Sequence, residues 1–207
     1  MPPAPAPRRR MARADRAEQL LAIAEAVFVE RGFHAASMDE IAERAGVTKP
    51  VLYDHFGSKD GVLAAVMRHL GAELRAATVA AVEGASEPRE ALHRGLAAYF
   101  RFLDDHAQGW SLLLTELSAS GEAARAVEEV RRTQAGYIAS LIAAELAPTD
   151  ADRAEVCAHA VVGAAERIAT VRRHDPSLTA DRASRELLDL LWLGFGGLRG
   201  EQAPPRA

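Results

Sequence analysis

The chain has 207 residues, of which 49% are hydrophobic and 26% are charged, and its formal net charge is −4. This composition is typical of a globular protein with a sizeable core, and it excludes a largely disordered chain and a protein that coats nucleic acid through bulk positive charge. The single cysteine, Cys157, excludes an internal disulfide framework and a paired-cysteine metal site.

The first twelve residues are rich in proline and arginine and show no apolar period, so we expect residues 1–12 to form a flexible basic arm. Five arginines and one acidic residue lie between Arg8 and Arg16, so this region either is a solvated tail or contacts a phosphate backbone. No apolar stretch has the form of an export signal or the roughly 20 residues of a membrane span. We therefore expect a cytoplasmic protein that does not bind a membrane.

Apolar side chains at helical spacing predict a first helix over 15–31, opened by an Asp-x-x-Glu capping box and ended by Gly32. Two short helices of about eight residues follow. Ser37 caps the first of them, Gly46 permits a left-handed turn between them, and Thr48 caps the second. Two short helices joined by a glycine-containing turn match the helix-turn-helix motif.

The later segments are longer and smoother. Helices are predicted over residues 59–83, 88–105, 108–119, 122–146, 150–173 and 178–198. No alternation typical of strands is present, so we expect an all-α fold. Its parts are an N-terminal three-helix bundle with the helix-turn-helix at 13–58, a larger C-terminal helical domain at 59–201 and a loose tail at 202–207.

A helix-turn-helix binds DNA through donors on its exposed rim and at the first turns of its helices. The chain contains two lysines, Lys49 and Lys59, and both fall in first turns, where free backbone N–H groups favour anions. They are either phosphate contacts or surface lysines placed by chance, and we favour the first interpretation. Residues 1–60 carry nine basic and nine acidic side chains, so affinity must come from their placement. Donors on the rim are supplied by Ser37, Thr48, Lys49, Tyr53, His55 and Lys59.

Residues 21–66 resemble the TetR (tetracycline repressor) family of transcription regulators. The likeness is carried by the segments 26–33 (AVFVERGF), 37–47 (SMDEIAERAGV), 51–56 (VLYDHF) and 58–63 (SKDGVL). The resemblance implies a homodimer that reads a palindromic operator with paired recognition helices. By position it places Thr48, Lys49, Pro50, Val51 and Tyr53 at the DNA groove or its rim, and Ser37, His55 and Lys59 on phosphates. Gly61 stands where the family often has a better helix former, and we expect it to loosen the first turn of its helix.

The same resemblance implies that the second domain binds a small molecule and forms the dimer. The helices predicted over 150–173 and 178–198 carry small and apolar residues that would suit a four-helix interface between subunits. The same pattern would also close a monomer core, and we favour the interface. The candidate interface residues are Val156, Ala160, Gly163, Leu188, Leu191, Trp192 and Phe195.

A ligand pocket is predicted from aromatic and leucine side chains of the second domain, since aromatics with a polar tip suit a mostly apolar cavity. Such residues at helical spacing can equally be ordinary core. The candidate pocket residues are Tyr99, Phe102, Leu103, Trp110, Leu114, Tyr137, Leu141 and His159.

No nucleophile elbow, phosphate-binding loop, dinucleotide fingerprint or His-Glu-x-x-His motif is present, so we expect no catalytic residue, metal or cofactor. The sequence favours a homodimeric DNA-binding regulator, a repressor released by an unidentified small apolar or amphipathic ligand, with the helix over 59–83 as the lever between the two sites. One alternative is a helical small-molecule-binding module with a vestigial DNA-binding head. A second is an α-helical enzyme, which the absence of paired catalytic groups disfavours.

Overall fold

A computed structural model describes residues 13–106, 121–143 and 151–198, and this part of the chain is built of α-helices without strands. The helices are α1 (Arg13–Ala35), α2 (Met38–Ala45), α3 (Lys49–Phe56), α4 (Lys59–Val82), α5 (Pro88–Asp105), α6 (Glu122–Ala143), α7 (Ala151–Arg172) and α8 (Ala180–Leu198). The expected all-α class is confirmed. The predicted arm over 1–12, the helix over 108–119 and the tail over 202–207 lie outside the described residues.

The first helix is longer than predicted at both ends. It begins at Arg13, so Asp15 lies inside the helix and not at the predicted N-cap position. Gly32 interrupts the helical backbone with φ 74° and ψ 161°, a conformation that glycine adopts without steric cost. A last turn then continues to Ala35. The predicted break at Gly32 is therefore a kink, after which Phe33 folds back and its ring lies 5.9 Å from that of Phe28.

The N-terminal bundle is held by a small apolar core. Phe28 of α1, Ile41 of α2 and Leu52 of α3 are each 0% exposed, and Val62 of α4 lies beside them with the same burial. Burying side chains of this size contributes about 1.5–3 kcal/mol each, which is what holds two eight-residue helices in place.

The long helix α4 belongs to both halves of the molecule. It packs on α1 and α3 near its start, and on α5 and α6 further along. Gly71 permits the close approach of α4 to α6, because a Cβ atom there would lie 2.4 Å from a methyl group of Val130. The remaining helices pair as α5 with α8 and α6 with α7. In the described residues, none of these helices is long and apolar enough to cross a membrane.

Candidate DNA interface and ligand cavity

The turn between α2 and α3 is fixed by its own backbone. Ser37 caps α2, and its hydroxyl accepts a hydrogen bond from the N–H of Glu40 at 3.1 Å. At the other end Gly46 is left-handed (φ 63°, ψ 32°), the N–H of Gly46 bonds to Glu43 and the N–H of Val47 bonds to Ala42 at 3.0 Å. These paired bonds form a Schellman turn, which sets the direction in which α3 leaves.

The third helix has one buried face and one open face. Leu52 is fully buried in the bundle core, whereas Tyr53 is 44% exposed and Lys49, one turn earlier, is also exposed. Thr48 occupies the N-cap position without a side-chain capping bond, and Pro50 takes the first turn, where its missing N–H costs nothing. The predicted rim donors of this helix thus lie on its solvent-exposed face.

Two rim residues already make contacts within the protein. The ammonium of Lys49 lies 2.9 Å from the carboxylate of Asp39, and this hydrogen bond raises the pKa of Lys49 above its usual value. Lys49 therefore stays charged, although a phosphate would compete with Asp39 for it. His55 is exposed and its Nδ1 lies 3.0 Å from the carbonyl oxygen of Val51, which is itself half-buried.

Lys59 has a different environment from the one expected of a phosphate contact. Its ammonium donates to the carbonyl oxygens of Phe33, His34 and Ala36 at 2.8, 3.2 and 3.0 Å, and it lies 4.6 Å from the centre of the Phe33 ring. An ammonium has three N–H donors, so all three are engaged. In the structure the side chain closes the C-terminal end of α1, and the phosphate contact predicted for Lys59 would require one of these bonds to break.

The start of α4 is also tighter than expected. Ser58 caps the helix by accepting a bond from the N–H of Gly61 at 2.9 Å. A Cβ atom at Gly61 would lie 2.0 Å from the carbonyl oxygen of Phe56, so glycine is what lets α3 and α4 meet closely. The expected loosening at Gly61 is therefore corrected to a close packing requirement.

A cavity of about 410 Å³ lies between α4, α5, α6 and α7, and Trp192 of α8 contributes to its wall. Its size falls within the range of small-molecule pockets. Most of the lining is apolar and includes Leu74, Leu92, Leu96, Val130, Ile138 and Val161.

Polar groups of the cavity wall come mainly from α6 and its neighbours. Arg131 of α6 donates from Nε to both carboxylate oxygens of Glu166 of α7, at 2.8 and 3.1 Å, which raises the pKa of Arg131. Gln134 lies one turn further along α6, and its amide nitrogen is buried without a hydrogen-bond partner. Tyr99 of α5 also lines the cavity, and burial raises the pKa of its phenol so that it stays neutral. Thr78 of α4 donates its hydroxyl to main-chain carbonyl groups of its own helix.

Both halves of the chain match models of one known protein family. The family model described as "Bacterial regulatory proteins, tetR family" matches residues 20–66, and that described as "Tetracyclin repressor-like, C-terminal domain" matches residues 88–194. The chain belongs to the TetR family. The members it resembles are transcription regulators and not enzymes, in agreement with the absence of catalytic motifs.

Individual relatives support the same assignment. The transcriptional activator FasR of Mycolicibacterium smegmatis is 45% identical over 105 residues, which cover 50% of this chain and 48% of FasR, so the match spans about half of that protein. The regulator BetI of Rhizobium meliloti is 33% identical over 139 residues, covering 65% of this chain and 68% of BetI. The crystal structure of a TetR-like regulator from Rhodococcus sp. RHA1 superposes with a TM-score of 0.68 at 33% identity, covering 91% of this chain and all of that one.

The residues predicted to line a ligand pocket in this TetR-family chain divide into three groups. Tyr99, Tyr137 and Leu141 line the cavity. Phe102 and Leu103 do not, because both are buried in the core, where the Phe102 ring stacks on His106 at 4.0 Å. His159 is exposed on α7 and is likewise not part of the cavity lining. The predicted pocket residues Trp110 and Leu114 lie outside the described residues.

The predicted interface residues also divide into two groups. On α7, Val156 is 70% exposed, and Ala160 and Gly163 are exposed on the same face. On α8, by contrast, Leu188 is buried inside the protomer and Leu191 packs against the core, because the helix turns these positions inward. The predicted interface residue Trp192 lines the cavity instead, and Phe195 lies in α8 with its side chain outside the described set.

Several exposed or cavity-lining residues of this TetR-family member were not predicted. Leu190 and Leu193 of α8 are 70% and 74% exposed, and each lies two residues after one of the leucines that the sequence favoured, Leu188 and Leu191. The polar cavity residues Arg131, Gln134 and Glu166 were also missed. The available signal was that Arg131 and Gln134 share a helix face with Ile138, so polar residues interrupt an otherwise apolar stripe.

Proposed function

We propose that the chain is a homodimeric repressor that binds a palindromic operator through α3 of each subunit and leaves the DNA when a small ligand fills the cavity. The observation that carries this proposal is the course of α4. Its first residue, Lys59, holds the end of α1 in the DNA-binding bundle, and its later residues Leu74 and Thr78 line the cavity. One rigid helix therefore connects the two sites.

A second link ties α4 to the opposite wall of the cavity. Asp60 follows Lys59, and its carboxylate accepts hydrogen bonds from the N–H groups of Glu122 and Ala123 at 2.5 and 3.4 Å. These are the first residues of α6, where an acidic group is favoured by the helix dipole. The neighbouring residues Lys59 and Asp60 thus bind the end of α1 and the start of the cavity helix α6, respectively. A ligand that moves α6 would therefore change the orientation of α3. The ligand can lower DNA affinity only by as much as it prefers the displaced arrangement.

The dimer proposal is supported by apolar surface that the protomer leaves uncovered. Three apolar side chains expose at least 70% of their surface: Val156 on α7, and Leu190 and Leu193 on α8. On α7, Gly163 has open space beside its Cα, since a Cβ atom there would meet no other atom within 4 Å. Exposed apolar surface on two neighbouring helices is typical of an interface, and a second copy would bring four helices together. We expect pairing of this kind to bring two α3 helices to one duplex.

The DNA-binding half of the proposal is tested with duplexes from the region flanking the protein's own gene. We expect Lys49→Ala and Tyr53→Ala each to weaken binding about tenfold or more without changing the mass of the dimer or its melting temperature, because both side chains are exposed and outside the core. Wild-type binding that survives both substitutions would contradict the proposal. No shift with any flanking palindrome at low salt would favour the alternative, a ligand-binding module with a vestigial DNA-binding head.

The dimer is tested with a matched pair of glycine substitutions. A Cβ atom would meet nothing within 4 Å at Gly163 of α7 or at Gly136 of α6. Both Gly163→Arg and Gly136→Arg should therefore preserve the protomer fold. We expect only Gly163→Arg to reduce the mass measured by sedimentation from two chains to one and to abolish tight operator binding. A dimer that withstands Gly163→Arg would place the interface elsewhere.

The direction of regulation is tested with a reporter gene driven by the bound promoter. Repression predicts higher expression when Tyr53→Ala replaces the wild-type protein. FasR, which matches half of this chain, is named an activator, and lower expression in the variant would assign that role here instead.

A further inference from the structure

We propose that the cavity selects uncharged, elongated apolar molecules with a single hydrogen-bond acceptor, such as a medium-chain alcohol or ester, and that this acceptor binds the side-chain amide of Gln134. The inference rests on the proposed function, because it names the ligand class for the cavity through which DNA binding is controlled.

The dimensions of the cavity limit the size of the ligand. Its volume of about 410 Å³ lies in the lower part of the range of small-molecule pockets. A chain of roughly ten carbon atoms with one polar group fits this space. The walls supply aliphatic contacts along α4, α5 and α6, including Leu74, Leu96 and Ile138, so most of the ligand surface must be apolar.

The charges of the wall leave no buried partner for an ionised ligand. Arg131 is the one lysine or arginine of the described lining, and it is already bound to both carboxylate oxygens of Glu166. It also lies 3.7 Å from a carboxylate oxygen of Glu128. A buried carboxylate on the ligand would lose its hydration without gaining a counter-ion. A buried ammonium would meet Glu166, whose oxygens are in use. The other glutamate of the lining, Glu87, is exposed, and an ion pair there contributes little.

The electrostatic environment of Tyr99 agrees with this exclusion. Burial is the main reason that the pKa of Tyr99 is raised, and the negative charge of Glu166 raises it further while Arg131 opposes. The inner wall therefore disfavours a new negative charge at the phenol, and a ligand anion beside it would experience the same field.

The buried amide of Gln134 supplies the orienting contact. Its Nε2 is buried and has no hydrogen-bond partner, and a buried donor left in this state costs free energy. Gln134 lies three residues after Arg131 and four before Ile138, so all three share the face of α6 that lines the cavity. A hydroxyl, ketone or ester oxygen placed there satisfies the amide. The hydroxyl of Thr78 donates to its own helix and does not compete for that acceptor.

The test measures binding of three chemical probes to the full-length protein: decan-1-ol, sodium decanoate and decylamine, each below its aggregation limit. Calorimetry at pH 7.5 should give decan-1-ol an affinity at least tenfold higher than either charged probe. Gln134→Leu should weaken decan-1-ol binding about fivefold, the loss of one hydrogen bond. Gln19→Leu, the same substitution on the exposed face of α1, should leave it unchanged.

A second variant separates charge from shape. Glu166→Gln removes the carboxylate that neutralises Arg131, so we expect decanoate to bind at least fivefold more tightly to this variant, while the affinity for decan-1-ol changes less than twofold.

The proposed ligand class is overturned if wild-type protein binds decanoate as tightly as decan-1-ol, if decan-1-ol fails to bind up to its solubility limit, or if Gln134→Leu has no effect. The proposed function fails separately, when the wild-type protein does not bind flanking DNA or when a probe that binds the cavity leaves DNA affinity unchanged.

Discussion

Lys59 and Lys49 are the two lysines of the chain, and the structure predicts opposite consequences for their removal. Lys59→Met deletes three hydrogen bonds, of which those to Phe33 and Ala36 are partly shielded from water. It also deletes a positive charge at the end of α1, where a cation is favoured. Counting about 1–1.5 kcal/mol for each shielded bond, we expect a loss of about 2–3 kcal/mol in the free energy of unfolding. For a chain of this size that lowers the melting temperature by about 5–10 °C.

Lys49→Met is the matched control. Lys49 makes one exposed ion pair with Asp39, and such pairs add little to stability. We expect its melting temperature to change by less than about 2 °C. Its effect should appear on DNA instead, because each lost phosphate contact lowers the slope of log affinity against log salt by about 1, or about 2 for a dimer.

The assay combines thermal melting followed by circular dichroism with fluorescence anisotropy on flanking DNA at several salt concentrations, well below the melting temperature of each variant. Lys59→Met should melt early and keep the wild-type salt slope. If Lys59→Met instead melts like the wild type and lowers the salt slope, the ammonium contacts phosphate and the capping interpretation is refuted.

Three further substitutions test the packing and the electrostatics. Burial raises the pKa of Glu25, so the folded state holds that proton more tightly than the unfolded state, and stability declines as pH rises through the folded pKa. Glu25→Gln should therefore raise stability at pH 7 by about 0.5 kcal/mol, limited by solvent screening of a partly exposed group. Urea denaturation should show that this gain vanishes as the pH falls below the ordinary pKa of a glutamate. Gly71→Ala should lower the free energy of unfolding by about 1–3 kcal/mol, because its Cβ would lie 2.4 Å from Val130. Gly136→Ala, in open space, should raise it by up to about 1 kcal/mol. Equal chemical-denaturation midpoints for the two variants would be inconsistent with the tight α4–α6 contact. Leu52 has a side chain that is 0% exposed, so Leu52→Ala should lower the free energy of unfolding by about 2–5 kcal/mol and abolish DNA binding. A variant that melts and binds like the wild type would mean that α3 is held by other contacts.

Local features of the fold were predictable because they depend on near neighbours in the chain. The capping by Ser37 and the left-handed turn at Gly46 are each decided within a few residues, and both are present. The long helices also follow from local periodicity, and α5 begins and ends at the predicted residues. The role of Lys59 was not predictable in this way, since its carbonyl partners lie 23 to 26 residues earlier.

The cavity and the uncovered helix faces depend on tertiary packing. Leucines occur around much of the circumference of α8, so the sequence did not distinguish Leu188, which is buried, from Leu190, which is exposed. The Arg131–Glu166 pair joins two helices across 35 residues of chain. An aromatic residue such as Phe102 satisfies a core position and a pocket position equally well, and only the arrangement of helices decides between them.

The most direct test of DNA recognition by paired α3 helices is a hydroxyl-radical footprint of the wild-type protein on the DNA flanking its gene. Two symmetric protected segments, with centres separated by about one helical turn or a multiple of it, and loss of both with Tyr53→Ala, are the predicted result. A single unpaired segment, or protection that persists when Tyr53 is replaced, would contradict it.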